Sequence, residues 1–276
     1  IMQSHSHAYT AYGDHRAERQ WAPEGKGCIT SWRDFEEFPW PSADSGHYAE
    51  FAEASRHLPS AMKIIATEGR IFQITWMLMG FEGFATALAE EPELVYAVMD
   101  KIAALRLEGF QRVIGLEAVG AGWLPDDIAY SEGLFASPRF FREHLFLWYR
   151  RFGDICRQLG KPLIYHSDGR LWEVLEDLIE CGFSALHPIE PKAMEAVEVK
   201  RRVAGRLCLI GNVELDRLAR GTPEEIRNLV RERIEVLAPG GGYCVGSSNS
   251  VAHYVPLDNY RALLEASHLY GRQRPS

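Results

Sequence analysis

The feature that most constrains this chain is the alternation of short apolar runs with long helix-period stretches. The runs are "MKIIAT" (62–67), "AVGAGWLP" (118–125), "PLIYHS" (162–167), "FSALHPI" (183–189), "RLCLIGNV" (206–213) and "GGYCVGSS" (241–248). Between them lie helix patterns such as "PELVYAVMDKIAALRLEGFQRVI" (92–114) and "SPRFFREHLFLWYRRFGDICRQLG" (137–160). Strand, helix and strand in succession imply parallel pairing through right-handed crossovers. Local chemistry marks the helix ends. Thr222-Pro223-Glu224-Glu225 combines an N-cap, a proline at the first helical position and a capping-box glutamate, and Ser137-Pro138 opens a helix in the same manner. Gly160, Gly182 and Gly205 stand where helix C-caps belong.

This pattern fits a (β/α)8 barrel or a doubly wound sheet, and the polar residues discriminate between them. Asp126-Asp127, His166 and Asp168, His187 and Glu190, Asn212 and Glu214, and Ser247 to Asn249 each follow the carboxyl end of a different run. Barrels gather their sites from several strand ends, whereas a doubly wound sheet concentrates its ligand at one switch point. The expected fold class is therefore α/β, a single-domain TIM barrel over residues 60–276. Residues 1–59, with aromatics gathered in "SWRDFEEFPWP" (31–41), are expected to form an irregular wrap.

Composition narrows the function classes. A chain of 276 residues, 46% hydrophobic, can bury one large core. Its net charge of -8 opposes a phosphate-binding stripe, so nucleic acid is not an expected partner. No run reaches the ~18 apolar residues of a membrane span, and Ile1-Met2-Gln3-Ser4 carries no basic-then-apolar leader, so a cytoplasmic protein is expected. Cys28, Cys156, Cys181, Cys208 and Cys244 form no C-x-x-C pair and are read as reduced, mostly buried thiols.

The candidate chemistry centres on His166-x-Asp168. If Tyr165 ends a strand, both side chains point to one side, as metal ligands or as an acid/base pair; alternatively Asp168 caps a helix starting near Arg170 and His166 bonds a backbone group. Asp126 and Asp127 are adjacent, so one is expected to enter the pocket while the other turns outward. His187 and Glu190 end another run and are candidates for substrate binding, as are Ser247 and Ser248. Asn212 is a candidate for orienting substrate, and Asn249 for a third metal ligand. "PGGGYCVGSSNSV" (239–251) is not a Walker loop, since no Lys-Ser/Thr follows; its glycines read as a tight turn into a strand. No G-x-S-x-G elbow is present, which argues against acyl-transfer hydrolysis.

Several segments together resemble the uroporphyrinogen decarboxylase superfamily, which includes the haem-pathway decarboxylase and the methylcobamide:thiol methyltransferases. They are "FPWP" (38–41), "GFEGFATALAEEPELV" (80–95), "LPDDIAYSEGLFASPRFFREHLFLWYRR" (124–151), "YHSDGRLWEVLEDLIECGFSALHPIEP" (165–191), "LIGNVELDRLARGTPEEI" (209–226) and "GGGYCVGSSNSVAHYVPLDNYRALLEA" (240–266). The resemblance implies a TIM barrel whose first strand region is missing from this sequence. In the methyltransferases a His-x-Cys pair and a late cysteine hold zinc that activates a thiol. Here His166 matches the histidine, Asp168 replaces the first cysteine, and Ser247, Ser248 and Asn249 occupy the late position, so harder donors replace soft ones. The arginine-rich segment of the decarboxylase has no counterpart here.

Three expectations follow. The first is an enzyme moving a methyl group between a corrinoid, usually on a carrier protein, and a small thiol or pterin, with zinc or another divalent metal on His166, Asp168 and Asn249, and with Asp126, Asp127, His166 and Asn212 catalytic. The second is cofactor-free decarboxylation of a porphyrinogen or another aromatic acid. The third is a non-catalytic barrel that binds a corrinoid or tetrapyrrole.

Overall fold

The structure, a computed structural model, describes residues 27–43 and 48–272, and the backbone of Ser6–Tyr12 and His15–Trp21. The latter two segments, β1 and β2, pair antiparallel with Ser6 opposite Trp21. Helix α1 (Trp32–Glu37) is capped by the Ser31 hydroxyl, which accepts from the Asp34 N–H at 3.2 Å, and α2 (Ala49–His57) follows. The described residues up to 59 thus hold a strand pair and two short helices.

The expected alternation begins with β3 (Ile64–Thr67), α3 (Ile71–Met79), α4 (Phe81–Glu90), α5 (Pro92–Ile114) and β4 (Val119–Pro125). After the two-residue strands β5 (Ala129–Tyr130) and β6 (Gly133–Leu134) come α6 (Pro138–Phe140), a π-helical turn at Phe141–Leu145, and α7 (Phe146–Gln158). The remainder is β7 (Leu163–His166), α8 (Leu175–Glu180), β8 (Ala185–His187), α9 (Ala196–Val203), β9 (Cys208–Val213), α10 (Leu215–Arg220), α11 (Pro223–Leu237), β10 (Tyr243–Ser247) and α12 (Leu257–Gly271). The Thr222 capping box forms on both sides: its hydroxyl accepts from Glu225 N–H, and its own N–H donates to the Glu225 carboxylate.

Six parallel strands make the main sheet, in the order β10-β9-β8-β7-β4-β3. Each strand lies beside the one before it in the chain, the single winding of a barrel, with no reversal that would create a doubly wound switch point. The sheet ends at β3 and β10, so among the described residues the ring of eight strands is not complete. Helices cover one face, where Phe72, Phe110, Phe141, Phe146, Phe152, Tyr149 and Tyr165 are fully buried. Each such side chain contributes roughly 1.5–3 kcal/mol by leaving water. The other face is lined by Ala121, Ile164 and Ala185, with Trp123, Cys208 and Ile210 half-buried beside them. Helices α11 and α12 pack on each other through Ile226, Val230, Ala262 and Leu263. Cys156 and Cys181 are buried as expected, whereas Cys28 and Cys244 are exposed, because Cys28 precedes the first helix and Cys244 lies on an edge strand.

Candidate active site

A cleft of about 320 Å³ opens where the carboxyl ends of β3, β4, β7, β8 and β10 converge. Its polar lining comes from Arg70, Asp127, His166, Asp168, His187 and Asn249, joined by Thr67, Gln73, Asp126 and Ser250, with Trp123 as its aromatic wall. Register explains the convergence: Pro125 lies opposite His166, and His166 opposite His187, so three consecutive strands end at one level.

Hydrogen bonds fix how the two histidines share their protons. His187 Nε2 faces the Ser247 carbonyl at 3.2 Å, an acceptor only, so Nε2 carries the hydrogen. Burial and then His166 push His187 down to about 4, so it is neutral and its Nδ1 is a lone pair. That lone pair accepts from His166 Nδ1–H at 2.7 Å. His166 is also held at about 4, by burial and then by Arg70, so its Nε2 is a second lone pair. It lies 3.8 Å from Asp127 Oδ1, and the ligand atoms of Asp127, His166 and Asp168 all fall within 4.8 Å of one another. Three acceptors facing one another repel unless a proton or a cation lies among them.

Burial dominates both carboxylates, and Asp168 also registers that repulsion. Burial, then Asp127 and Glu190, lift Asp168 to about 7, and burial also raises Asp127. Asp127 Oδ1 accepts the Asp168 backbone N–H at 3.0 Å, and Asn249 Nδ2 donates to Asp168 Oδ2 at 2.9 Å. Asp168 therefore caps no helix: α8 begins at Leu175 without a side-chain cap, and the Asp168 carboxylate is turned to the cleft.

Asp126 goes elsewhere. The sequence predicts that one of the aspartates enters the pocket and the other turns outward; Asp127 enters, and Asp126, though it reaches the cleft wall, turns its carboxylate into the interior. It is fully buried, accepting N–H bonds from Phe72 and Gln73, both at 2.8 Å, and the Tyr149 hydroxyl at 2.9 Å. This is the N-terminus of α3, whose first free N–H groups need an acceptor and whose dipole favours an anion. Burial raises Asp126 to about 7, against the pull of those bonds. All its carboxylate partners are structural, so it holds in place the part of the cleft wall that it lines.

The other candidates divide similarly. Asn212 is buried in the left-handed region (φ 69), with Nδ2 donating to the Ile189 carbonyl at 2.8 Å; it shapes the loop after β8 and does not line the cleft. Glu190 accepts the Gly169 N–H at 2.9 Å from behind Asp168. Gly169 needs to be glycine, since φ is 90 and a Cβ would meet the Ala129 carbonyl carbon at 2.6 Å. Ser247 contributes its carbonyl to His187, while its hydroxyl donates to the Asn249 carbonyl; Ser248 is buried, and Ser250 lines the cleft instead. Gly240, Gly241 and Gly242, all at positive φ, form the turn into β10.

Sequence reasoning missed Arg70, Gln73 and Trp123. Arg70 follows the end of β3 and could have been found by the same strand-end rule; its backbone is left-handed (φ 56), held by a 2.6 Å bond from its N–H to the Pro125 carbonyl. Trp123, inside β4, stacks near both imidazoles, with ring centroids 6.0 Å from His166 and 5.0 Å from His187.

Singly wound parallel strands with acid and imidazole groups gathered at their carboxyl ends define an α/β barrel-type protein with an enzyme-like cleft. The family model for uroporphyrinogen decarboxylase (URO-D) matches residues 17–270, and the chain belongs to that family. Among solved structures, a methyltransferase from Methanosarcina mazei superposes with a TM-score of 0.67 at 18% identity, covering 96% of this chain and 75% of that one, a likeness of fold. No curated protein matches the chain. Among the described residues, no single helix is long and apolar enough to cross a membrane.

Proposed function

We propose that this URO-D family member is a metal-dependent methyltransferase, moving a methyl group between a methyl-corrinoid, presented by a carrier protein, and a small thiol or pterin acceptor. The observation that carries this reading is the lone pair of His166 Nε2 converging with the carboxylates of Asp127 and Asp168. One imidazole and two carboxylates suit a borderline or hard divalent cation, such as zinc, cobalt or manganese, better than a soft one. Asp127, His166 and Asp168 would hold it, with Asn249 orienting Asp168. When bound, such an ion supplies the positive charge that lowers the pKa of an acceptor thiol or N–H.

The chain's own groups perform the remaining tasks. His187 keeps His166 in the tautomer with Nε2 free, Trp123 offers a planar wall to the acceptor, and Arg70 attracts an anionic part of it. A methyl group leaves a corrinoid as a cation equivalent, the electron pair of the broken bond staying on the corrinoid, so the acceptor must offer a free lone pair, as a thiolate or an unprotonated pterin nitrogen, and the cleft's task is to keep that lone pair free. Decarboxylation of a polyacidic porphyrinogen is less well supported, because Arg70 is the only arginine or lysine lining the cleft among the described residues and its charge already acts on the Asp127 carboxylate.

Metal analysis of wild type, His166→Ala and Asp168→Ala comes first, followed by demethylation of methylcobalamin with thiol and folate acceptors. Near-stoichiometric metal lost in both variants, with methyl transfer that follows metal content, is the expected result. No transfer to any acceptor by fully loaded protein would sink the proposal.

A further inference from the structure

At the far end of the same sheet face, Cys208 opens β9 and Cys244 lies near the start of β10, with their sulfurs 3.7 Å apart. Both strands run toward the cleft, so this pair sits at the opposite, amino-terminal edge of the sheet. Register makes the pair diagonal: Cys244 is opposite Ile210, two residues beyond Cys208. Two residues along a strand and one strand across separate the Cα atoms by roughly 8 Å. Disulfides need Cα atoms within about 7 Å and sulfurs at about 2.05 Å, so the pair does not close without backbone movement.

The sulfur separation matches a different partner. A tetrahedral ion with metal–sulfur bonds of about 2.3 Å holds two thiolates roughly 3.75 Å apart. We infer that Cys208 and Cys244 form a second cation site, a two-thiolate clamp for a thiophilic divalent ion such as Zn²⁺ or Cd²⁺. Access is open, because Cys244 is exposed and Cys208 half-buried, and the remaining coordination positions are left to water or a small ligand. The Lys200 ammonium donates to the Gly241 carbonyl at 2.8 Å and to that of Leu237, and its charge only partly offsets the rise that the bond to Cys244 and burial impose on the Cys208 thiol. Softness separates the two sites: sulfur at this end, nitrogen and oxygen at the cleft.

Titration of the reduced full chain with Cd²⁺ alone tests the clamp through its sulfur-to-cadmium charge-transfer absorption. One equivalent of that band is expected in wild type, His166→Ala and Cys28→Ser, and its loss in Cys208→Ser and in Cys244→Ser. Because a serine variant can fail to fold, alkylation of the wild type supplies a second measurement. Cd²⁺ should slow iodoacetamide labelling of Cys208 and Cys244 at least tenfold while leaving Cys28 unchanged. A band that survives either serine variant, or equal labelling rates with and without Cd²⁺, overturns the site. So does a Cys208–Cys244 disulfide formed by exchange with oxidised glutathione, which would make the pair a redox couple.

Discussion

The imidazole of His187 decides which nitrogen of His166 faces a ligand. With Nε2–H committed to the Ser247 carbonyl, His187 can only accept at Nδ1, and this fixes the His166 hydrogen on Nδ1. Partners behind a metal ligand characteristically set its tautomer and basicity, and their loss costs about 10–100-fold in affinity. His187→Phe preserves the ring that packs on Trp123 but removes the acceptor. The variant should stay folded and lose metal affinity by that factor, as read by isothermal titration; unchanged affinity would reduce His187 to a packing residue. The pairing was not legible in the sequence. His166 and His187 each appeared as a polar residue at a strand end, but the direct bond between them depends on β7 and β8 being neighbours in register.

At the scale of elements, α3 is the part of the cleft most dependent on a distant residue. Asp126 receives the N–H groups of Phe72 and Gln73 from 54 and 53 positions away, so the helix that presents Gln73 starts correctly only after β4 docks beside β3. Asp126→Ala would leave two N–H groups and the Tyr149 hydroxyl without their acceptor. The expected cost is about 2–4 kcal/mol, measurable by chemical denaturation, since lost caps and buried unpaired donors each cost roughly 1–2 kcal/mol. A cost near zero would mean that water replaces the carboxylate and that the cap is dispensable. The six strands and the long helix α5 were visible in the sequence because they follow local periodicity, and capping at Thr222 and Ser137 because its partners lie three residues apart. The cap on α3 was invisible for the opposite reason. From "LPDD" alone, an aspartate that stabilises a remote helix and one that lines a cleft look identical.

For the whole molecule, the cleft makes stability depend on pH and on cation in opposing ways. Asp168, raised to about 7 from an ordinary value of 3.8, binds its proton more tightly folded than unfolded. Its contribution is intact below about pH 4 and is lost as pH rises toward 7, because ionisation then buries a charge and sets it beside Asp127 and Glu190. His166 and His187, both lowered to about 4, act oppositely: the unfolded chain takes up their protons first, so the stability they lend is full above about 6.5 and lost as pH falls toward 4. Asp168→Asn isolates the first effect. In metal-free protein its thermal advantage over wild type should grow between pH 4 and 7 and level off at roughly 1–2 kcal/mol above that, after discounting for solvent screening. Saturating divalent metal should then reverse the order, since a ligand at 100 times its Kd stabilises wild type by about 2.7 kcal/mol while the amide variant binds it poorly. Melting curves of both proteins at pH 5 and pH 8, with and without Zn²⁺, test this directly. If the difference between them is the same in all four conditions, Asp127 and Asp168 do not repel each other in the folded chain, and the case for a cation between them falls with that repulsion.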